Sequence, residues 1–355
     1  MLQYYLYFLF IIILFGLNGK QSDYIQASKK GRPLYLFWVI FVLWLLIGLR
    51  DQLYGRDTLG YVKYFHATTV LDLKDKPEPL HDLFVYLVRS LSDNYHVYLL
   101  LSAAPICLAF YYLFKKYLNG SYEVLAAICI YTLLGIFGFN NAGLRQTIAM
   151  SMGIFAFLYA DKGKWVQSVL WLVTAYFFHN SSFILFLIYP AFFFNPKRYG
   201  PIIVLALFLV GAVMPGSVMP FIQAYLPMED RFGGYVEFTQ YQNYTGFFLQ
   251  MILVAIAYIQ KDKVMLPEKT KNFFMNMAFL GLGMQSLTVT FAEMFRVSYY
   301  FCIFDLVLVP LALTLFKGEQ GKMIRAAFII GCLIYIFIIS QAATLPLKQN
   351  YIIYN

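Results

Sequence analysis

Apolar runs, each bounded by a short polar loop, follow one another along almost the whole chain. Runs of about 15 to 22 apolar residues match the length that an α-helix needs to cross a bilayer. We therefore predict an all-α polytopic membrane protein with about twelve transmembrane helices. These helices are expected near residues 2–17, 34–49, 95–114, 122–139, 142–160, 165–178, 182–194, 201–222, 246–260, 273–291, 296–316 and 323–341.

One further apolar segment is too short to span. Residues 80–91 (LHDLFVYLVRSL) are amphipathic, which is typical of a helix that lies on the membrane surface or re-enters it. No stretch resembles a soluble domain or a clear repeat. We expect residues 1–355 to form one membrane domain with long outward loops at 50–94 and 223–245.

The composition agrees with this interpretation. The 355 residues are 61% hydrophobic and only 13% charged, with a mean hydropathy of +0.65, whereas soluble domains carry about 25% charged residues. The net charge of +9 would fit a nucleic-acid-binding protein, but the charges lie in short loops between apolar runs. We therefore attribute the charge to membrane topology and exclude a nucleic-acid partner.

Two features near apolar runs are interpreted as structural. The first 17 residues lack a basic start and a small-residue cleavage site, so they are predicted to be a spanning helix instead of a signal peptide. Four cysteines lie within apolar runs without metal-ligand or redox spacing and are predicted to pack in the core. They are Cys107, Cys129, Cys302 and Cys332.

Basic residues define the orientation. Six loops carry 17 of the 27 Lys and Arg residues, and placing these loops in the cytoplasm satisfies the positive-inside rule at each of them. The loops are 18–33, 115–121, 161–164, 195–200, 261–272 and 317–325. Both termini are then predicted to face outward. The same rule favours a hairpin at 165–194, with a polar tip at His179–Ser182, over a single long helix.

Lysine and arginine separate between the two sides. The cytoplasmic loops hold 14 Lys and 3 Arg, whereas the outward side holds 6 Arg, 4 Lys and all four histidines. Lysine is a point charge that anchors topology, while the guanidinium fork matches phosphate oxygens. This asymmetry predicts that an anionic ligand is handled at the outer face.

Four motifs on that side are candidates for chemistry. In the first outward loop, Arg50-Asp51 and Arg56-Asp57 are either ion pairs at a helix end or phosphate ligands beside a proton-accepting carboxylate. In NNAGLRQTIA, Asn140 and Asn141 form an outer turn that is followed by Arg145 and Gln146 in the first turn of a helix. That helix N-terminus attracts an anion, although an arginine there could instead snorkel to lipid headgroups.

The other two motifs are FFHNSSF and FAEMFRVSYYF. His179 is either a hydrogen-bonded core residue or a general base. Glu293 and Arg296 stand at i,i+3 spacing and either pair with each other or, with Tyr300 close by, contribute a phosphate ligand. The chain contains no DxD, HExxH or glycine-rich phosphate loop, so we predict no metal and no cofactor.

The order of these motifs resembles the EpsG-like polysaccharide polymerases, which belong among the Wzy-type O-antigen and exopolysaccharide polymerases. The resemblance rests on Arg-Asp with Gly-x-Asp-Thr, on LRQ-x-IA, on FHNSSF and on a late Arg followed by Tyr-Phe, and it covers residues 45–301. It implies a GT-C-like enzyme at the outer face of the bacterial inner (plasma) membrane. Such enzymes transfer a growing glycan from undecaprenyl pyrophosphate to a lipid-linked acceptor repeat unit.

The resemblance also implies roles for residues. Arg145 and Arg296 would bind pyrophosphate with support from Arg50 and Arg56, and either His179 or Asp57 would be the general base. The candidate catalytic residues are His179, Asp57 and Arg145, and the candidate substrate-binding residues are Arg50, Arg56, Asn140, Gln146, Glu293, Arg296 and Tyr300.

Lipid-linked oligosaccharides and membrane lipid are the expected partners, and a chain-length regulator is a partner class that the sequence leaves open. Three other functions also stay open. A lipid-linked oligosaccharide flippase also needs many helices and a cationic cavity, but it predicts basic residues within central helices and related halves. An O-antigen ligase shares the chemistry with a different acceptor, and a membrane acyltransferase could use an outer His and Arg.

Overall fold

The computed structural model describes residues 7, 9–14, 32–55, 57–74, 76–225, 244–289 and 294–342, without the side chains of 32–33, 212–225, 289 and 339–342. The described residues are helical or in connecting loops, with no strand among them. The chain divides into two compact units, Met1–Tyr189 and Pro190–Asn355. These units are clusters of internal contacts, and the single membrane domain stays a prediction.

The first unit is a bundle of helices joined by short turns. Its helices are α1 (Arg32–Gly48), α2 (Thr58–Ala67), α3 (Pro79–Leu91), α4 (Tyr95–Tyr117), α5 (Ser121–Leu133), α6 (Ile136–Ala142), α7 (Leu144–Ala160) and α8 (Trp165–Phe178), followed by a 3₁₀ helix (Asn180–Leu187) and α9 (Ile188–Ala191), which runs across the boundary of the unit. Helix α4 packs against α1 and α7, and α7 packs against α8. These contacts bury apolar side chains such as Leu99, Ile106 and Phe157.

The second unit contains α10 (Pro196–Tyr225), α11 (Thr245–Gln260), α12 (Glu268–Ser286), α13 (Met294–Cys302), α14 (Asp305–Thr314) and α15 (Gly318–Ala342). Helix α12 packs against α10, α11 and α13. The core of the second unit is rich in phenylalanine, including Phe273, Phe274 and Phe304. All four cysteines of the chain are buried thiols outside any disulfide, which confirms their predicted place in the core.

Two of the predicted spans are bent. The span expected at 122–139 is the pair α5 and α6, which meet at 63°, and the span expected at 296–316 is the pair α13 and α14, which meet at 52°. Gly135 separates α5 from α6 with a φ of 75°, in the left-handed region where a residue without Cβ is favoured. Each of these two predicted spans is therefore a bent pair of helices and not one continuous helix.

This fold is consistent with a helical membrane protein. Among the described residues, Tyr95–Tyr117 and Gly318–Ile338 are long and apolar enough to cross a membrane, and the number rises to four if each bent pair is one span. Several other apolar helices are shorter. Twelve crossings therefore stay a prediction, and the spans at 2–17 and the loop at 223–245 lie largely outside the described residues.

The hairpin at 165–194 is confirmed. Helix α8 ends at Phe178, His179 is extended (φ −160°, ψ 113°), and the chain continues as a 3₁₀ helix. It returns alongside α8, because the hydroxyl groups of Ser168 and Tyr189 lie 3.1 Å apart. The amphipathic segment predicted at 80–91 is likewise a helix, α3.

Candidate active site

One carboxylate joins three segments of the first unit. Glu78 is the residue just before α3, and its side chain does not cap that helix. Its Oε2 accepts a hydrogen bond from Arg145 Nη1 at 2.5 Å, and its Oε1 lies 2.7 Å from His179 Nδ1. The backbone N–H of Asn180 also donates to Oε1, at 3.2 Å. The loop before α3, the start of α7 and the end of α8 therefore meet at Glu78.

Each partner stands at a helix end for a local reason. Pro79 occupies the first position of α3, where a missing N–H is tolerated, and the positive N-terminal end of that helix favours the adjacent carboxylate. Arg145 follows Gly143, which ends α6 and starts α7. His179 terminates α8 with its N–H bonded to the carbonyl of Ala175. Polar side chains are thereby kept at the ends of apolar helices.

Glu78 is buried and yet ionised. Burial alone would raise the pKa of its carboxyl group, but the hydrogen bond and charge of His179, the charge of Arg145 and the Asn180 N–H together lower that pKa below its usual value. The Glu78 side chain is only 10% exposed, against 41% for Arg145 and 24% for His179. A buried anion thus holds two cationic or protonatable groups that solvent can still reach.

A cavity of about 440 Å³ opens beside this carboxylate. It is lined by Asp57, Gly60, Tyr61, Tyr64, Pro77, Glu78, His81, Asp82 and Arg145. Arg145 lies over one wall, with its guanidinium carbon 5.8 Å from the centre of the Tyr61 ring and its Nε 3.4 Å from the Tyr61 hydroxyl. The cavity therefore combines carboxylates, aromatic rings and one guanidinium.

Two residues that line the cavity have shifted pKa values. Burial and then the charge of Arg145 lower the pKa of His81 to about 4, against the opposing carboxylates of Asp82 and Glu78, so His81 is neutral at pH 7. Burial and the hydrogen bond to Asp82 raise the pKa of Tyr64 to about 12. The Tyr64 hydroxyl accordingly stays protonated and donates to Asp82 Oδ1 at 2.5 Å.

Predicted residues around Arg145 form its support. Asn140 is fully buried, donates from Nδ2 to the Tyr131 hydroxyl at 2.8 Å and accepts from the Thr147 hydroxyl at 3.1 Å. Gln146 is also buried. Asn140 and Gln146, predicted as substrate ligands, do not line the cavity. Asn140 and Asn141 lie at the end of helix α6 and not in the turn predicted for them. The bond from Thr147 to Asn140 ties α6 to α7 beside Arg145. Their role toward a substrate stays a prediction.

The loop predicted to be the first outward one is attached to the end of α6. The hydroxyl of Thr58 donates to the backbone carbonyl of Asn141 at 2.8 Å. Gly55 has a φ of 98°, and a Cβ there would lie 2.7 Å from that carbonyl oxygen, so a side chain cannot be accommodated. This attachment brings Asp57, one of the two predicted bases, into the wall of the cavity.

Arg50 is placed differently from the other predicted ligands. It is fully buried just after α1, where Nη1 donates to the backbone carbonyl of Ile47. Burial lowers the pKa of Arg50 to about 10, and the negative end of the α1 dipole favours its charge. Its Nε and Nη2 have no hydrogen-bond partner within the described part of the chain. Arg50 does not line the cavity.

Four predicted residues lie either outside the described residues or in the second unit. Arg56 and Glu293 lie outside the described residues. Arg296 and Tyr300 belong to α13 of the second unit, where Tyr300 is fully buried and the Arg296 guanidinium lies 5.8 Å from the Phe295 ring. Their predicted share in pyrophosphate binding stays a prediction.

Sequence reasoning missed the residue at the centre of the site. Glu78 and its neighbours Tyr61, Tyr64, His81 and Asp82 were not selected, although 80–91 was recognised as amphipathic. A usable signal was the run Glu78-Pro79 followed by His81-Asp82 at the start of that helix, which places charged groups at a helix N-terminus within an outward loop. Among the described residues, no group of three or more His, Cys, Asp or Glu side chains is arranged to hold a metal ion.

Apolar helices with a polar cluster at their ends are consistent with a helical membrane protein that carries a candidate active site. The chain belongs to the EpsG family, whose model matches residues 34–355. Family membership and the apolar helices together support a membrane protein of polysaccharide biosynthesis with a polymerase-type function. Comparisons with curated proteins and with solved structures gave no match.

Proposed function

We propose that the protein is a polysaccharide repeat-unit polymerase. It transfers a growing glycan from undecaprenyl pyrophosphate to a sugar hydroxyl of a second lipid-linked repeat unit, at the outer face of the plasma membrane. The observation that carries this proposal is that Glu78 holds both Arg145 and His179 (2.5 and 2.7 Å) beside a cavity. A cation for the leaving group and a base for the acceptor are thereby held by one carboxylate.

The proton is removed by His179. A carboxylate that accepts from Nδ1–H favours this tautomer and leaves the lone pair on Nε2. Nε2 takes the proton of the acceptor hydroxyl while the oxygen of that hydroxyl bonds to the anomeric carbon of the donor glycan. Asp57 lines the cavity and is the alternative base. The Glu78–His179 bond favours His179, because it fixes the orientation of the imidazole.

The leaving group is stabilised by Arg145. As the bond from the anomeric carbon to the pyrophosphate oxygen breaks, the electron pair stays on undecaprenyl pyrophosphate. Among the described residues, partners contact only Nε and Nη1 of Arg145, so Nη2 is available to phosphate oxygens. Such a fixed donor in a partly dry site is typically worth about 100-fold or more in rate.

Deletion of the gene tests the proposal against its rivals. We expect single repeat units to be exported and attached to their final carrier, while the long glycan ladder disappears from gels. Wild-type protein and a His66→Ala variant should restore the ladder, since His66 is exposed on α2 and does not line the cavity. A His179→Ala variant should not restore it.

Two results would overturn the proposal. Long polymer retained on its lipid carrier would indicate a ligase. Repeat units trapped on the cytoplasmic side would indicate a flippase.

A further inference from the structure

The cavity is negatively charged, whereas a pyrophosphate-binding site needs positive charge. Among the described residues that line it, Asp57, Glu78 and Asp82 contribute three carboxylates, and Arg145 contributes a single guanidinium. His81 adds no charge at pH 7, as argued above. A cavity with net negative charge repels a pyrophosphate, so the phosphate contacts of Arg145 must be made at the edge of the cavity.

The lining instead matches the chemistry of a sugar. Tyr61 and Tyr64 offer ring surface, and their ring centres each lie 6.1 Å from that of His81, so the three rings form one aromatic wall. Aromatic rings provide large, rigid apolar surfaces on which the C–H face of a pyranose packs. Carboxylate oxygens and the Tyr64–Asp82 pair provide acceptors for hydroxyl groups. Small-molecule sites combine aromatic walls and a few placed polar groups in this way, within about 300–1,000 Å³.

His81 supplies an independent observation. Its side chain is 3% exposed, it lines the cavity, and its Nε2 is buried with no hydrogen-bond partner among the described residues. A buried polar nitrogen without a hydrogen-bond partner destabilises the folded protein. A hydroxyl group of a bound sugar could either donate to this nitrogen or accept from it, which would remove that penalty.

We propose that this cavity is the subsite for the acceptor sugar, and that it selects an uncharged sugar over a uronic acid. The inference rests on the proposed function, in which the donor sugar is bonded directly to pyrophosphate while the reacting acceptor sugar is remote from its own. An acidic cavity therefore suits the acceptor and not the donor. Glu78 connects the subsite to His179, which takes the acceptor proton.

Sugar binding can be measured without any polymerisation assay. The full-length protein in nanodiscs, prepared without glycoside detergents, is mixed with methyl glucoside or methyl glucuronide, and saturation transfer to each sugar is followed by NMR. We expect methyl glucoside to bind at least about fivefold more tightly than methyl glucuronide, the effect of one like charge or one lost hydrogen bond. Tyr64→Ala should weaken the binding of methyl glucoside, whereas the matched variant Tyr112→Ala, exposed elsewhere on α4, should not.

A variant that removes one negative charge tests the preference for an uncharged sugar. Asp82→Asn keeps the shape of the side chain and removes one negative charge, so it should narrow the preference for glucoside over glucuronide. Asp57→Asn provides a second test if Asp82→Asn fails to fold. Equal or tighter binding of the glucuronide by the wild-type protein, an unchanged ratio in the folded variants, or a Tyr64→Ala variant that binds as the wild type does would overturn the subsite.

These outcomes are separate from those of the gene deletion. If the selectivity is found but the deletion leaves the glycan ladder intact, the cavity binds sugar and the polymerase proposal fails. If the ladder disappears but no selectivity is found, the polymerase proposal stands and the assignment of the acceptor subsite fails.

Discussion

The two ends of the first unit hold carboxylates that are equally buried but differently connected. Glu78 and Asp161 have side chains that are 10% and 11% exposed. Asp161 accepts from Lys116 Nζ at 2.5 Å and from the Tyr117 hydroxyl at 2.6 Å, two consecutive residues at the end of α4. Glu78 instead binds groups on two different helices, 67 and 101 residues away along the chain.

The difference separates a contact between neighbouring helix ends from the candidate site. The Asp161 contacts tie the end of α4 to the turn after α7, with lysine acting as a point charge. At the other end, an arginine with free donor capacity and an imidazole share one carboxylate next to a cavity. Burial of a carboxylate is therefore not the mark of the site; the mark is convergence of a cation, a base and a cavity from distant segments.

The largest effect is expected for Arg145. Arg145→Ala should reduce polymer formation by about 100-fold or more, because a donor to the leaving group is lost. Arg145→Lys should also fail, since a lysine cannot bind Glu78 and phosphate oxygens with one planar fork. Polymer is measured by gel after complementation of the deletion strain, with membrane levels of the protein quantified in parallel.

The matched control is Arg198→Lys, which changes an exposed arginine near the start of α10. It should leave the ladder unchanged. A fully active Arg145→Lys would show that charge alone suffices, and near-normal polymer from Arg145→Ala would remove Arg145 from the reaction.

The next effect concerns the pair of Glu78 and His179. Glu78→Gln and His179→Ala should each lower kcat by roughly 100-fold, because the base is lost or no longer oriented. The kcat of the double variant should be only slightly lower than that of the less active single variant, as expected for residues that act as one unit. The assay is polymerisation of a lipid-linked repeat unit by purified protein, with kcat and KM determined separately.

Glu319→Gln is the control for this pair, since Glu319 is an exposed residue paired with Lys322. If the losses in the two single variants multiply in the double variant, Glu78 and His179 act independently. If Glu78→Gln changes only KM, its role is substrate binding and not orientation of the base.

The sequence predicted much of the fold and part of this site. The helix at 165–178 coincides with α8 in the structure, because an apolar run that ends at His-Asn-Ser-Ser leaves little choice for the boundary. His179, Arg145 and Asp57 were predicted as chemical groups, and all three lie in or beside the Glu78 cluster. Polar residues at helix ends on one side of a membrane are readable from the order of residues and the charge rule.

The role of Glu78 could not be predicted from the sequence, for a physical reason. Its contacts are with Arg145 and His179, and no local periodicity encodes which loop side chain meets a helix end so far along the chain. Arg50, predicted as a supporting phosphate ligand, is buried against the carbonyl of Ile47, and its role toward a phosphate stays a prediction. The bend at Gly135 depends on a left-handed φ, which a glycine permits but does not require.

A smaller effect is expected from pH. Because the pKa of His81 is lowered to about 4 in the folded protein, unfolded chains bind a proton between about pH 6.5 and 4 that folded chains do not. Stability should fall with decreasing pH in that window, by at most about 1.4 kcal/mol per pH unit. Glu78, whose pKa is also lowered, adds to the loss only as pH falls below the usual carboxylate value.

The measurement is the thermal unfolding midpoint of the purified protein from pH 7.5 to 4. His81→Gln should flatten the slope above pH 4.5, whereas His66→Gln, at an exposed position on α2, should retain it. An identical slope in the wild-type and His81→Gln proteins would mean that His81 is charged in the folded state, and the cavity would then be less acidic than we infer.

The smallest effect is expected at the opposite end. Lys116→Gln removes one cation from Asp161, and a partly exposed ion pair of this kind is worth about 0–1 kcal/mol. Lys115 stands beside it, and Lys162 and Lys164 lie in the loop 161–164, so the positive-inside signal persists and orientation should not change. We expect a small decrease in the unfolding midpoint and a glycan ladder indistinguishable from that of the wild type.

Asp161→Asn should be more destabilising, because it weakens the contacts of both Lys116 and Tyr117. A loss of polymer in Lys116→Gln comparable to that in Arg145→Ala, at equal protein level, would show that the lysine end takes part in the reaction and that the division between the two ends is wrong.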